Sequence, residues 1–158
     1  MNLNRLLADF ERKIPRRDLR HEPVSQASVG WHLDHSLRVI IAVIDALAAP
    51  SPEPYRWRFN GVRLYVLLLG HIPRGSARTP EAVLPTNDLT EASLQQRLDH
   101  ARQKLALLRD IPAEAHWPHP YLGALNARMT RRFLYVHTRH HQKIVRDILA
   151  GWRERGRG

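Results

Sequence analysis

The sequence predicts an all-α fold in one domain spanning residues 1–158, and three observations carry that expectation. Apolar residues recur at helical spacing in four separate stretches. The segment from Val39 to Ala49 is apolar almost all round, as in a helix at the middle of a bundle rather than at its surface. A chain of 158 residues is long enough to bury a proper core without a second domain.

In chain order, the first helix is expected from Asn2 to about Ile14, with Leu3, Leu6, Leu7, Phe10 and Ile14 on one face and Pro15 closing it. The second starts at Ser25 or Ser28 and runs to Ala48; Leu33, Leu37, Ile40, Ile44 and Leu47 share its more apolar face. A long insert follows, residues 50–87. Within it Asn60 to Leu69 is apolar enough to pack on the other helices, and periodicity leaves helix and strand open there. Ile72 to Pro85, with Pro73, Gly75, Pro80 and Pro85, reads as loop. Asp88-Leu-Thr-Glu91 has the form of a capping box, opening a helix to about Asp110 with Leu94, Leu98, Ala101, Leu105 and Leu108 inward. The last helix is expected from Thr130 to about Trp152, with residues 151–158 as a frayed, basic tail.

The last helix also carries the most informative spacing. His137 and His141 stand four residues apart, so their rings stack along one face and can reach a single cation. Phe133, Leu134, Ile144 and Ile148 lie within roughly 60° of His137 at about 100° per residue, so both histidines occupy positions where the pattern asks for core. Buried imidazoles need partners for their ring nitrogens, and a metal supplies one to both. The rival reading is a pair of structural histidines bonded to backbone or water. A third nitrogen would come from Trp31-His32-Leu33-Asp34-His35 on the second helix. His32 lies about 60° from His35, so periodicity alone does not choose between them.

Ser28-Val-Gly-Trp-His-Leu-Asp-His35, Gly70-His-Ile-Pro-Arg-Gly75 with Thr79-Pro80, His119-Pro-Tyr-Leu-Gly-Ala124 and Tyr135-Val-His-Thr-Arg-His-His141 resemble the DinB/YfiT-like superfamily, closest to a branch of unknown function. The resemblance spans about residues 25–150 and is most specific in the final helix. It implies a four-helix bundle with a long insert between the second and third main helices, where it favours a short extra helix. It also implies a metal held by one histidine of the second helix and two of the last, here His35, His137 and His141. His32, His140, Trp31 and Arg38 are then candidates for the surroundings of the site. Hydrolysis or transfer to a thiol is the chemistry the resemblance implies, and the substrate is a small molecule.

Composition bounds the alternatives. There is no cysteine, so ligands must be imidazole, carboxylate or water, and a reducing cytoplasm is the expected location. Imidazole-only sites suit zinc, nickel or iron better than magnesium or calcium. No apolar run is long enough for a membrane span, and Met1-Asn-Leu-Asn-Arg lacks the apolar core of a signal peptide. Lys and Arg outnumber Asp and Glu by 25 to 15, an excess that attracts polyanions. Nucleic acid is therefore a rival partner, although no zinc-finger, helix-turn-helix or RNA-binding motif accompanies the charge. The same excess suits an anionic substrate, with Arg38 the first residue to contact it. A further rival is a non-catalytic homodimer in which the histidines are structural. No carboxylate clearly shares the histidine face; Glu81, Glu91 and Glu114 reach it only if their loops fold over. Trp117 is expected in the core, His116 and His119 in a Pro-rich turn, and His21, His71 and His100 at the surface.

Overall fold

Asn2 caps the first helix by accepting the Arg5 backbone N–H at 3.1 Å, and α1 runs Leu3–Glu11 with Leu6, Leu7 and Phe10 buried. The computed structural model describes residues 2–51, 53–75, 81–85 and 88–155. α1 stops short of the expected Ile14, because Ile14–Arg16 tightens into a separate 3-10 turn that accommodates Pro15 near its start. Ser28, not Ser25, caps the second helix, its Oγ accepting the Trp31 N–H at 3.2 Å. α2 then spans Val29–Ala48. Gly30 donates its N–H to the Arg17 carbonyl at 2.8 Å, an approach so close that a Cβ there would sit 3.0 Å from the Arg17 side chain.

α2 lies along both α4 (Glu91–Leu107) and α5 (Ala127–Arg155), while α1 leans on α5 and α4. Leu33, Leu37, Ile40 and Ile44 of α2 meet Leu94 and Leu98 of α4 and Leu134 and Ile148 of α5 in one core. Each such side chain, essentially removed from water, contributes roughly 1.5–3 kcal/mol. α4 opens two residues later than a box at Asp88 would place it. Thr90 is the cap, accepting from Ser93 at 3.2 Å, and Asp88 instead steadies the Thr90 N–H at 3.4 Å. α5 is longer than expected at both ends. Asn126 accepts the Met129 N–H at 3.0 Å at its start, and the helix continues through Gly151 to Arg155. Five residues of the expected tail are thus helical, and 156–158 lie outside the described residues.

One element departs from an all-helical reading. His116–His119 (β1) and Gly123–Asn126 (β2) pair as an antiparallel hairpin, with Trp117 opposite Leu125 and Pro118 opposite Ala124. A proline inside the strand hid it from the sequence. A two-stranded sheet tolerates Pro118 because each strand keeps a free edge. Three residues and the left-handed Gly123 (φ 69°) close the turn. Trp117 is buried, as expected, and donates its indole N–H to Thr130 Oγ1 at 3.0 Å.

The insert forms α3 (Gly61–Leu69), capped by Asn60 and ended by left-handed Gly70 (φ 62°). It does not bury its apolar residues as expected. Its inner positions are Arg63 and Val66, and the Arg63 guanidinium reaches the hairpin carbonyls of Leu122 (3.4 Å) and Ala124 (3.2 Å). Anchored by that polar residue, the helix turns Val62, Leu64, Tyr65, Leu68 and Leu69 to solvent. Residues 71–75 and 84–85 are irregular, with a 3-10 turn at Glu81–Val83. Among the described residues no helix is long and apolar enough to cross a membrane.

Candidate metal centre

The first two turns of α2 and the middle of α5 face each other, and this brings His35, His137 and His141 together. The ring centroids of His35 lie 5.1 Å from His137 and 4.8 Å from His141, and the two α5 rings are 4.7 Å apart. One nitrogen from each residue lies within 4.8 Å of the others. Tetrahedral zinc with Zn–N of about 2.0–2.1 Å needs nitrogens roughly 3.3 Å apart, so each edge would contract by at most about 1.5 Å. Imidazole rotation about two side-chain bonds supplies movements of that size.

Two of the three residues have one ring nitrogen already engaged outside the triad. His35 Nδ1 lies 3.0 Å from the Val83 carbonyl, which only accepts, so Nδ1 carries the proton and Nε2 keeps its lone pair. His141 Nδ1 is 3.0 Å from His32 Nδ1. His137 Nδ1 is buried with no hydrogen-bond partner among the described residues, an orphan of the kind that signals a missing proton acceptor or cation. The donor set is neutral. Burial, reinforced by His35 and the other nearby imidazoles, holds His137 and His141 well below the usual histidine range. Burial lowers His35 too, against the opposing Val83 hydrogen bond, and lowers His32 to about 4 with help from His35, His140 and Arg74.

This electrostatic state sets a pH dependence for the metal-free protein. Between pH 6.5 and about 4 the unfolded chain protonates the histidines that the fold buries around the triad, and the folded chain resists doing so. Stability is therefore fully present above pH 6.5 and is lost as pH falls through that window. For His32 alone, pushed to about 4, the loss approaches about 3 kcal/mol. Chelator-treated protein should show a constant urea midpoint from pH 7 to 9 and a steep fall below 6.5. A midpoint unchanged down to pH 4.5 would contradict neutral, buried imidazoles.

The other expected site residues fall into place around the triad. Trp31 stacks on His35 with centroids 5.1 Å apart and planes 23° from parallel. His140 is half-buried and edge-on to His141 at 5.0 Å; burial first, then nearby Arg74, His71 and Lys143, lowers it to about 4. Arg38 is elsewhere: its Nε donates to Asp34 at 2.6 Å, and Asp34 also takes the Arg97 guanidinium from α4. Among the carboxylates, Glu91 pairs with Arg17 at 3.4 Å, Glu114 is exposed, and Glu81 opens the turn whose Val83 holds His35. His116 bonds Ser51 at 3.0 Å, and His119 Nδ1 accepts the N–H groups of Tyr121 and Leu122; neither joins the triad. His71 and His100 are exposed, while His21 is half-buried and bridges Ser25. Val83 and Ser25 are the participants sequence reasoning missed. Val83 acts through its carbonyl, which any residue type could supply, and Ser25 presents itself only as a possible helix cap.

The fold and site together define a mainly helical protein with a buried histidine triad able to hold a metal ion. No family model, no curated protein and no solved structure matches the chain.

Proposed function

We propose that the chain is a metal-dependent enzyme of the DinB/YfiT-like type, holding one divalent transition metal (zinc, nickel or iron) on His35, His137 and His141. It acts on a small molecule, by hydrolysis or by transfer to a thiol. The observation that carries the reading is the convergence of three neutral imidazole nitrogens from α2 and α5. α1, α2, α4 and α5 would be the four helices of that bundle, with α3 in the insert. When bound, the ion would lower the pKa of a coordinated water or thiol and polarise a carbonyl. The chain's own residues orient the ligands and shape access. The Val83 carbonyl fixes the His35 tautomer, and Trp31 covers one face of His35. Arg74 and Lys143 place positive charge beside His140, which suits an anionic substrate; Arg74 is steadied at 2.5 Å by Asp147.

Elemental analysis of untagged protein tests the reading. About one metal per chain is expected in the wild type and in His116→Ala, and none in His35→Ala. A wild type that stays empty when offered zinc or nickel would overturn it.

A second reading is favoured by one observation. Trp57 (62% exposed), Phe59 (74%) and the outward residues of α3 are large apolar side chains exposed close together in the chain, and such residues mark an interaction surface where they form one patch. A non-catalytic protein that pairs with a second copy through this face would account for it. A metal-free wild type that sediments as a dimer would favour that reading.

A further inference from the structure

We infer that His32 is a positioning residue for the metal centre: a Ser25–His32–His141 relay fixes which nitrogen of His141 is presented to the ion. The inference rests on the metal reading proposed above. Its basis is the pair of Nδ1 atoms, on His32 and His141, 3.0 Å apart in the core. Two neutral imidazoles at this distance share one proton between them. With two protons the hydrogens collide, and with none the lone pairs oppose.

The shared proton has two homes, with different consequences for the triad. If it sits on His32 Nδ1, then His141 carries its own proton on Nε2 and has no lone pair free for a cation. If it sits on His141 Nδ1, then His141 Nε2 is a bare lone pair and His32 is left with its proton on Nε2. A cation on His141 Nε2 requires the second arrangement, and Ser25 accommodates it: its Oγ lies 2.9 Å from His32 Nε2 and takes the Ala27 N–H at 3.1 Å, which leaves a lone pair for His32 Nε2–H. Ser25 is itself held, its N–H donating to the His21 carbonyl at 3.0 Å. His32 is only 4% exposed and packs edge-on against Trp31 at 5.2 Å, so it has little freedom to turn away.

The chemistry of this orienter matters for the site. Metal-bound histidines commonly lean on a carboxylate or carbonyl, and a carboxylate raises ligand basicity. A neutral imidazole in that role orients His141 without adding negative charge. The ion would therefore keep its full +2 charge, and with it the strongest pull on a bound water or thiol.

Zinc alone is the probe for the test. Affinity is measured by competition with a chromogenic chelator for wild type, His32→Phe, His32→Gln and Ser25→Ala. Ring tautomers are read by long-range 15N–1H spectra of zinc-loaded wild type. His32→Phe should weaken zinc by about 10–100-fold, the loss typical of an outer partner. His32→Gln, whose amide oxygen can accept from His141 Nδ1–H, should recover most of it. The loaded wild type should show its protons on His141 Nδ1 and His32 Nε2. If His32→Phe does not fold, Ser25→Ala and the tautomer spectrum still decide, since Ser25→Ala should also weaken zinc. Undiminished affinity in the folded variants, or a proton on His32 Nδ1 in the loaded protein, would overturn the relay while leaving the triad in place. A wild type that takes up no zinc would overturn both.

Discussion

Replacing His137 by leucine is expected to abolish the stabilisation that metal confers, while leaving the metal-free protein as stable as the wild type or more so. The opposite signs come from one side chain. Without a cation, His137 Nδ1 is a buried nitrogen with no partner among the described residues, and such a group costs about 1–3 kcal/mol. Leucine fills similar space and removes that cost. With a cation the wild type gains about 4 kcal/mol at a thousandfold excess over Kd, and the variant has lost one of its three donors. With only two imidazoles left, the variant should no longer hold the ion in the native state, and that gain should disappear. Paired thermal melts in chelator and in zinc would show the crossover. A structural histidine behaves differently: His137→Leu would then melt lower in both conditions, and neither protein would respond to zinc.

Asp34→Asn is expected to destabilise the fold by about 3 kcal/mol, the lower end of the range for breaking a buried ion pair. Asp34 is fully buried and receives Arg38 from its own helix and Arg97 from α4. Asparagine keeps the shape but leaves two guanidiniums facing a neutral group. Both side chains are about one-fifth exposed and can partly turn to water, which holds the cost below the extreme. In a chain of this size the melting temperature should fall by roughly 6–12 °C. An unchanged denaturation midpoint would mean that the arginines find other partners. Because Asp34 fixes the rotation of α2 and His35 is the next residue, the same substitution should also loosen the metal site.

The main helices and the triad were legible because both obey a period of 3.6. Leu33, Leu37, Ile40 and Ile44 mark the inner face of α2, and the four-residue step from His137 to His141 marks a shared face of α5. What periodicity cannot supply is the position of one helix against another. It left His32 and His35 equivalent, and only packing against α5 and the Val83 carbonyl separates them. Arg38 looked available for a substrate although its partner Asp34 stands one helical turn earlier; what the sequence hid is Arg97 of α4, which holds the same carboxylate from the neighbouring helix. The apolar run in α3 read as core, yet buried Arg63 fixes the opposite orientation through hairpin carbonyls that carry no sequence signature. The hairpin itself was masked by Pro118, whose ring marks turns far more often than strands.

The placement of the triad has a last consequence, for the chain as a polymer. His35 and His137 come from helices near opposite ends of the sequence, so an ion shared between them would close a covalent-like ring of roughly 100 residues. In a disulfide, a ring that long removes about 4.7 kcal/mol worth of freedom from the unfolded ensemble by the chain-entropy account. This chain has no cysteine with which to make such a link. An ion that remained on both histidines in the unfolded chain would act as a reversible staple, whereas one that bound only the native fold would favour it by mass action alone.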